Sequence, residues 1–332
     1  MRDTLLLVGN GLAIDYRSHS PGMPDPGRPL DYPLSVPGSG GQPLREMFSD
    51  LWKMIDAFRA SEPDIGDFPL IARLCQMPRL ALDRSLIGTP AWSERFREYQ
   101  TRELVEYQLR LHLTHAYTQF TEMIDKTDLQ SWRWFSWLRE NSDRLNAVAS
   151  FNYDLLPEHA LRATISIRYL IQGGGMFGVN QEVVIFKPHG SVNFEFAENA
   201  IHGLSRSGLY AARNAFRLAN VPLRVLGDGD LNQQRLNADI VLPTEASSIR
   251  HFQYIEPGYR YLRSIRGDIA RCVIIGISYW ECDQPEIDEI LGNLRSDVHV
   301  LICNPYPPAE MIRRWSAHFK RLELVTAGLP HP

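Results

Sequence analysis

The chain has 332 residues, 44% hydrophobic and 22% charged, enough to bury a full core as two domains or as one large domain with an insertion. Its 39 acidic and 35 basic side chains leave a formal charge of -4. With no dense Lys/Arg run, direct nucleic-acid binding is not expected.

No charged-then-apolar leader opens the chain, and no apolar run reaches the roughly 18 residues that span a bilayer, so a cytoplasmic protein with no membrane partner is expected. Residues 4–8 are apolar and strand-like and end in Gly9-Asn10-Gly11, where glycine permits a tight turn and close backbone approach to a ligand. A nucleotide-binding α/β domain begins in this way. Residues 17–43, crowded with Pro, Gly and Ser, read as a long surface loop. From 44 to about 141 the period turns helical, with Phe96, Leu104, Leu109, Leu113, Tyr117 and Phe120 spaced along 94–124, and this stretch reads as a helical insertion. Trp132, Trp134 and Trp137 more often pack such an insertion onto a sheet than stack on a ligand.

Strand signals return at 145–151, 183–186, 239–242, 271–277, 298–303 and 322–326, with helical patterns at 155–163, 285–294 and 308–319. This alternation predicts one α/β domain over 1–332: Rossmann-like, a mostly parallel sheet with helices on both faces, plus the insertion. Residues 203–234 read as a helix at 206–218 followed by a loop around Gly227 to Asp230. Cys75, Cys272, Cys282 and Cys303 form no C-x-x-C pair, so no metal site and no disulfide framework is expected, and Cys272 and Cys303 read as small core residues.

Candidate chemistry falls at the strand ends, where a doubly wound sheet gathers its ligands. Gly9-Asn10-Gly11 lacks the third glycine and the following acidic residue of a dehydrogenase fingerprint, since Ile14 stands at the third position. Phe151-Asn152-Tyr153-Asp154 offers a carboxamide that both donates and accepts, able to orient a ribose hydroxyl or a water. Asp154 either caps the following helix or acts directly. In Lys187-Pro188-His189-Gly190-Ser191, a histidine between a rigid proline and a permissive glycine is a candidate general base, with Lys187 and Ser191 assisting it or satisfying loop backbone. Gly276-Ile277-Ser278, with Asp283 opening the next helix, can present N–H groups and a hydroxyl to a phosphate or serve as an ordinary cap. Asn304 supplies an amide suited to a ribose or adenine contact.

In this order and spacing the glycine-rich first turn, N-x-D, H-G and late G-x-S elements resemble the sirtuin-like superfamily. The N-Y-D and P-H-G-S forms resemble the sirtuin-like NAD hydrolases of bacterial antiphage defence. The four-cysteine zinc module of the deacetylases is missing, and Phe151 stands where they carry glutamine, which argues against deacetylation. Asn10 replaces the alanine of many relatives.

The resemblance implies NAD as substrate, with its pyrophosphate near Gly9, Asn10, Gly11, Gly276 and Ser278, and its nicotinamide ribose facing Asn152 and His189. Asp154 and Asp283 are helpers. It further implies hydrolysis to nicotinamide and ADP-ribose, NAD depletion in abortive infection, a homo-oligomer, and a trigger on another polypeptide such as a ring-forming ATPase or an Argonaute-like protein. A non-catalytic NAD- or ADP-ribose-binding subunit and an ADP-ribosyl transferase or cyclase remain open alternatives.

Overall fold

Thr4–Val8 forms strand β1, and all five of its residues are buried, so alternate side chains find cover on both faces of the sheet. The computed structural model describes residues 2–35, 41–76, 85, 87–124, 126–171, 182–196, 223–231, 238–242 and 255–330. After β1 come α1 (Gly11–His19), α2 (Leu44–Met47), α3 (Ser49–Ser61), α4 (Asp67–Gln76), α5 (Pro90–Glu122), α6 (Lys126–Ser131) and α7 (Arg133–Asn141). Next are β2 (Leu145–Ser150), α8 (Leu156–Arg162), β3 (Ile167–Tyr169) and β4 (Val183–Phe186), then β5 (Gly190–Phe196), β6 (Leu223–Val225) and β7 (Ala238–Ile240). The chain closes with α9 (Glu256–Ile265), β8 (Arg271–Ile275), α10 (Gln284–Gly292), β9 (His299–Cys303), α11 (Ala309–Trp315) and β10 (Arg321–Val325).

Seven strands form one parallel sheet in the order β10-β9-β8-β1-β2-β4-β3. The chain builds outward from β1 through β2 to β4 and β3, then returns to β8 and builds the other way through β9 to β10. The direction reverses between β1 and β8, whose registered pairs run from Thr4↔Arg271 to Val8↔Ile275. A crevice at the carboxyl ends of the strands is expected at such a reversal. This is the Rossmann-like α/β architecture predicted from the alternation of elements. β10 is one of the two edge strands, and Arg321, Glu323 and Leu324 on it are exposed. Cys272 and Cys303 are buried on neighbouring central strands, and all four cysteines are free.

The strand read at 239–242 appears as β7, but it lies outside the parallel sheet. With β5 and β6 it forms a separate antiparallel sheet in the order β6-β5-β7. The 17–43 stretch is also more ordered than a plain loop. α1 runs to His19, Pro29–Asp31 makes one 3-10 turn, and Ser35 bridges Pro43. The predicted helix at 206–218 lies outside the described residues.

Helix α5 starts where Thr89 accepts the Trp92 N–H at 3.2 Å and Pro90 takes the first helical position, and its 33 residues span roughly 50 Å. That length lets one helix serve two cores. Leu104, Leu109 and Leu113 pack with α3, α4 and the small sheet, whereas Ala116 and Phe120 pack with the main sheet. Trp132, Trp134 and Trp137 sit in the main-sheet core as expected. The Trp132 indole N–H is bonded to Asp15 and that of Trp137 to the Pro330 carbonyl. No helix among the described residues is long and apolar enough to cross a membrane.

Candidate active site

At the reversal point the ends of β1 and β8 touch backbone to backbone. The Gly9 N–H donates to the Ile275 carbonyl at 2.8 Å, and the Gly11 N–H donates to the Gly276 carbonyl at 2.9 Å. A Cβ on Gly11 would lie 2.5 Å from the Gly276 Cα, and Gly276 itself holds φ +61°. Side chains at either position would force the two loops apart. These glycines therefore have a packing reason to be glycine, independent of any ligand.

Above this junction lies a cavity of about 420 Å³, within the ~300–1,000 Å³ typical of small-molecule sites. Gly9, Asn10 and Gly11 line it from the end of β1, Asn152 from β2, and His189 from β4. Gly276, Ser278 and Asp283 line it from the β8–α10 connection, and Asn304 from the end of β9. Nine of the ten site residues expected from the sequence thus share one cleft fed by five adjacent strands. Asp154 is the tenth and does not line the cleft.

Asn152 is 4% exposed, and neither its amide nitrogen nor its amide oxygen has a partner among the described residues. Its neighbours hold it in place. The Phe151 N–H donates to the Val8 carbonyl at 2.8 Å, and the Tyr153 hydroxyl donates to the Val241 carbonyl at 2.5 Å. A buried carboxamide without partners costs on the order of 1–3 kcal/mol per unmet group, so its place beside a cavity is the strongest chemical signal in the molecule.

His189 is partly buried, with Nε2 3.8 Å from an Asp283 carboxylate oxygen and its ring edge-on to Phe151 at 5.3 Å. Asp283 stands at the N-cap of α10, yet its side chain makes no capping bond, which leaves the carboxylate to face the imidazole and the Cys282 thiol. One turn on, Glu286 is buried, and burial raises its carboxyl above the usual range against the opposing influence of His189. Gly190 turns the chain with φ +73°, and a Cβ there would come within 2.3 Å of the Asp239 carbonyl. The turn that presents His189 is thereby locked against β7.

Asp154 lies beneath the cleft, fully buried, and its Oδ1 accepts the Leu156 N–H at 2.9 Å, closing a side-chain turn just before α8, whose N-cap position is Leu155. Burial pushes its carboxyl up to about 6, against the pull of Lys187. The Lys187 ammonium donates to the Asp154 carbonyl at 2.7 Å and to Glu158 at 2.9 Å, with no exposure of either charged side chain. Of the two roles open to Lys187, it fills the structural one. Asn304 is also committed, since its nitrogen donates to the Ile277 carbonyl at 3.1 Å and its oxygen accepts the Tyr306 N–H at 2.9 Å. The Asn10 amide donates to the Pro26 carbonyl at 3.2 Å, where the Tyr117 hydroxyl also donates, so both anchor the segment whose Gly27 lines the cavity.

Sequence reasoning missed the aromatic part of the lining. Trp280 and Tyr306 stand at the mouth, 37% and 89% exposed, and Phe68 of α4 meets the Trp280 ring edge-on at 5.9 Å. Trp280 and Tyr306 follow the ends of β8 and β9 closely, a signal that was available. Nothing local marks Phe68. Tyr279 adopts φ 54° between Ser278 and Trp280, a conformation uncommon outside glycine, and its hydroxyl is tied to Asp288 at 2.6 Å.

Fold and cleft together define a Rossmann-like α/β protein with a small-molecule cavity at the carboxyl edge of its sheet. Among solved structures the chain is similar to a sirtuin from work on the structural basis of sirtuin substrate affinity. That match has 13% identity over 97% of this chain and 88% of that one, with a TM-score of 0.34. It is also similar to a Sir2 complex with a p53 peptide and NAD+, at 12% identity over 97% and 87% of the two chains and a TM-score of 0.33. No protein-family model matches the chain, and no curated protein matches it.

Proposed function

We propose that the cleft binds NAD and hydrolyses the bond between nicotinamide and ribose, releasing nicotinamide and ADP-ribose. The observation that carries this reading is Asn152, a buried carboxamide whose donor and acceptor are both unmet, lining the same cavity as the His189–Asp283 pair. A dinucleotide has ribose hydroxyls to fill such a carboxamide. The bond to be broken already carries a good leaving group.

In the proposed reaction the C1′–N bond breaks with its electron pair passing to the pyridinium nitrogen, so nicotinamide leaves neutral and positive charge develops at C1′. Oriented dipoles and a positioned water serve such a transition state better than a strong nucleophile. Asn152 orients the water or the ribose. As the water oxygen bonds to C1′, its proton passes to His189 directly or through a ribose hydroxyl, and Asp283 stabilises the imidazolium that results. The pyrophosphate lies over the β1–β8 junction with the Ser278 hydroxyl as its donor, because the Gly9, Gly11 and Gly276 N–H groups are spent on the Ile275, Gly276 and Cys303 carbonyls, and Trp280 and Tyr306 supply apolar faces at the mouth. Asp154 acts from below by holding its loop, and Asn304 by shaping the β9 turn.

The biological setting assigned with this activity is NAD depletion in antiphage defence, by a cytoplasmic homo-oligomer under the control of another polypeptide. It rests on the resemblance of the N-Y-D and P-H-G-S elements. The test is nicotinamide release from NAD by the purified chain, compared with Asn152→Ala and His189→Ala. Loss of the general base is expected to reduce turnover on the order of 10² to 10⁴-fold with the fold intact. Unchanged turnover in His189→Ala would remove His189 from the chemistry. Transfer to an added alcohol in place of water would make the protein a transferase.

A further inference from the structure

Helix α10 opens with Gln284-Pro285-Glu286-Ile287, and its first turn presents one face to the strand-end cleft. Asp283, just before the helix, and Ile287 both line that cleft. Residues three and four apart share a helix face, so Glu286 stands on the same side as Asp283. Glu286 itself does not line the cleft. It is 9% exposed, and its Oε2 is shut off from solvent without a partner among the described residues. A carboxylate oxygen so placed is costly, and such groups gather where a charge has a task.

The surroundings of Glu286 come from three elements. His189, from the loop after β4, attracts the carboxylate, and Asp283, at the start of its own helix, repels it. Tyr259 of α9 faces it too, since burial first and Glu286 second push that hydroxyl above its ordinary value. The Tyr259 ring meets Phe186, the last residue of β4, edge-on at 5.3 Å. Gly258 packs so closely on Phe186 that a Cβ there would lie 2.3 Å from its ring. Helix α9 is thus fixed against the end of β4, three residues before His189, and Glu286 faces both.

Asp283 meets the imidazole in a different way. Its Oδ1 lies 3.8 Å from His189 Nε2, but the side chain is 23% exposed and the same oxygen accepts the Cys282 thiol at 3.4 Å. Solvent and a second donor both dilute its pull on the ring. The rings of Phe151 and Tyr153, at 5.3 and 6.5 Å, cover other sides of His189 and add no charge. A carboxylate out of contact with water acts through a lower dielectric and is felt more strongly. When His189 takes the proton of the attacking water, this poorly solvated carboxylate gains its counter-charge.

We infer that Glu286 is a positioning residue for His189, the buried counter-charge that raises the proton affinity of the imidazole while Asp283 orients it. This role rests on NAD hydrolysis in the cleft, and Glu286 fills it through His189 without touching substrate.

The test pairs two measurements on the full chain: NMR titration of the His189 imidazole, its resonance identified by its loss in His189→Gln, and nicotinamide release from NAD against pH. In Glu286→Gln the imidazole should titrate at least about half a pH unit below the wild type, because a facing negative charge is gone. Only the neutral imidazole accepts a proton, so the acid limb of turnover should move to lower pH by the same amount. Above that limb the weaker base should turn over about twofold to tenfold more slowly, with KM for NAD within about twofold. Glu286→Asp keeps the charge and should restore part of the shift. Glu286→Leu, which leaves no polar atom to bury, replaces Glu286→Gln should that variant fail to fold, with the same shift expected. An imidazole that titrates within about 0.2 unit of the wild type in the neutral variant overturns the assignment. So does an unmoved acid limb with melting temperature and turnover falling together, the pattern of a merely structural carboxylate. A shifted titration in a chain whose wild type releases no nicotinamide would sink the hydrolase reading and leave the hold of Glu286 on His189 standing.

Discussion

Lys187→Met removes the ammonium that joins the two loops bearing Asn152 and His189, because Lys187 opens the loop after β4 and its partner Asp154 lies in the loop after β2. In the native chain the ammonium meets the Asp154 carbonyl at 2.7 Å and a Glu158 oxygen at 2.9 Å, both charged side chains being fully buried. Methionine fills nearly the same volume but leaves the Glu158 carboxylate buried without a counter-charge. Breaking one side of such a pair costs about 3–5 kcal/mol, a large share of the ~5–15 kcal/mol that holds a domain together. Adding Glu158→Leu removes the stranded charge, and the double variant should recover all but about 1 kcal/mol, the remainder reflecting the Asp154 carbonyl left without a donor. Urea denaturation at pH 7, followed by circular dichroism and tryptophan fluorescence, gives the three free energies needed for the cycle. A loss below about 1 kcal/mol in Lys187→Met, or a double variant no more stable than the single, would refute the reasoning.

Asp154→Asn keeps the oxygen that accepts the Leu156 N–H but removes a carboxyl whose folded value, about 6, lies above the ordinary 3.8. A raised carboxyl contributes stability that is fully present below pH ~4 and lost as pH rises through ~6. The wild type should therefore lose roughly 2–3 kcal/mol over that window, and Asp154→Asn should not. Parallel profiles of unfolding free energy against pH, from urea denaturation of the two proteins between pH 4 and 8, would contradict this. Gly190→Ala, forced to hold φ +73° with a Cβ 2.3 Å from the Asp239 carbonyl, should cost at least about 2 kcal/mol and lower the melting temperature by several degrees. A melting temperature unchanged within one degree would mean that the turn gives freely. Trp280→Ala, at the mouth of the cleft, should raise KM for NAD about tenfold while kcat stays within threefold, as expected for an aromatic face that binds substrate and transition state equally. A selective fall in kcat would place Trp280 nearer the reacting bond.

What could be read from the sequence was governed by how local the signal is. β1 was placed at its observed bounds because its apolar run stops at glycine, and β4 (Val183–Phe186) and residues 272–275 of β8 and 300–303 of β9 are likewise unbroken buried apolar runs. β3 and β6 were missed because three residues carry no period, whereas β7, equally short, was read because Val241 and Leu242 extend its apolar stretch. β5 was missed although Val192 and Phe194 alternate with polar residues, because Gly190 and Ser191 at its start read as loop. The cleft was legible because strand ends mark it. The commitments of Asn304, Asn10 and Lys187 were not, because the carbonyls to which their side-chain nitrogens donate lie from 16 to 33 residues away in sequence. Phe68 reaches the cleft only through the packing of α4.

Hydrolysis of NAD by the purified chain in ¹⁸O-labelled water, with mass analysis of both products, tests the central claim most directly. The expected products are unlabelled nicotinamide and ADP-ribose carrying one heavy oxygen at C1′, with both abolished in Asn152→Ala. No nicotinamide release by the wild-type chain, or an ADP-ribose product without the label, would contradict it.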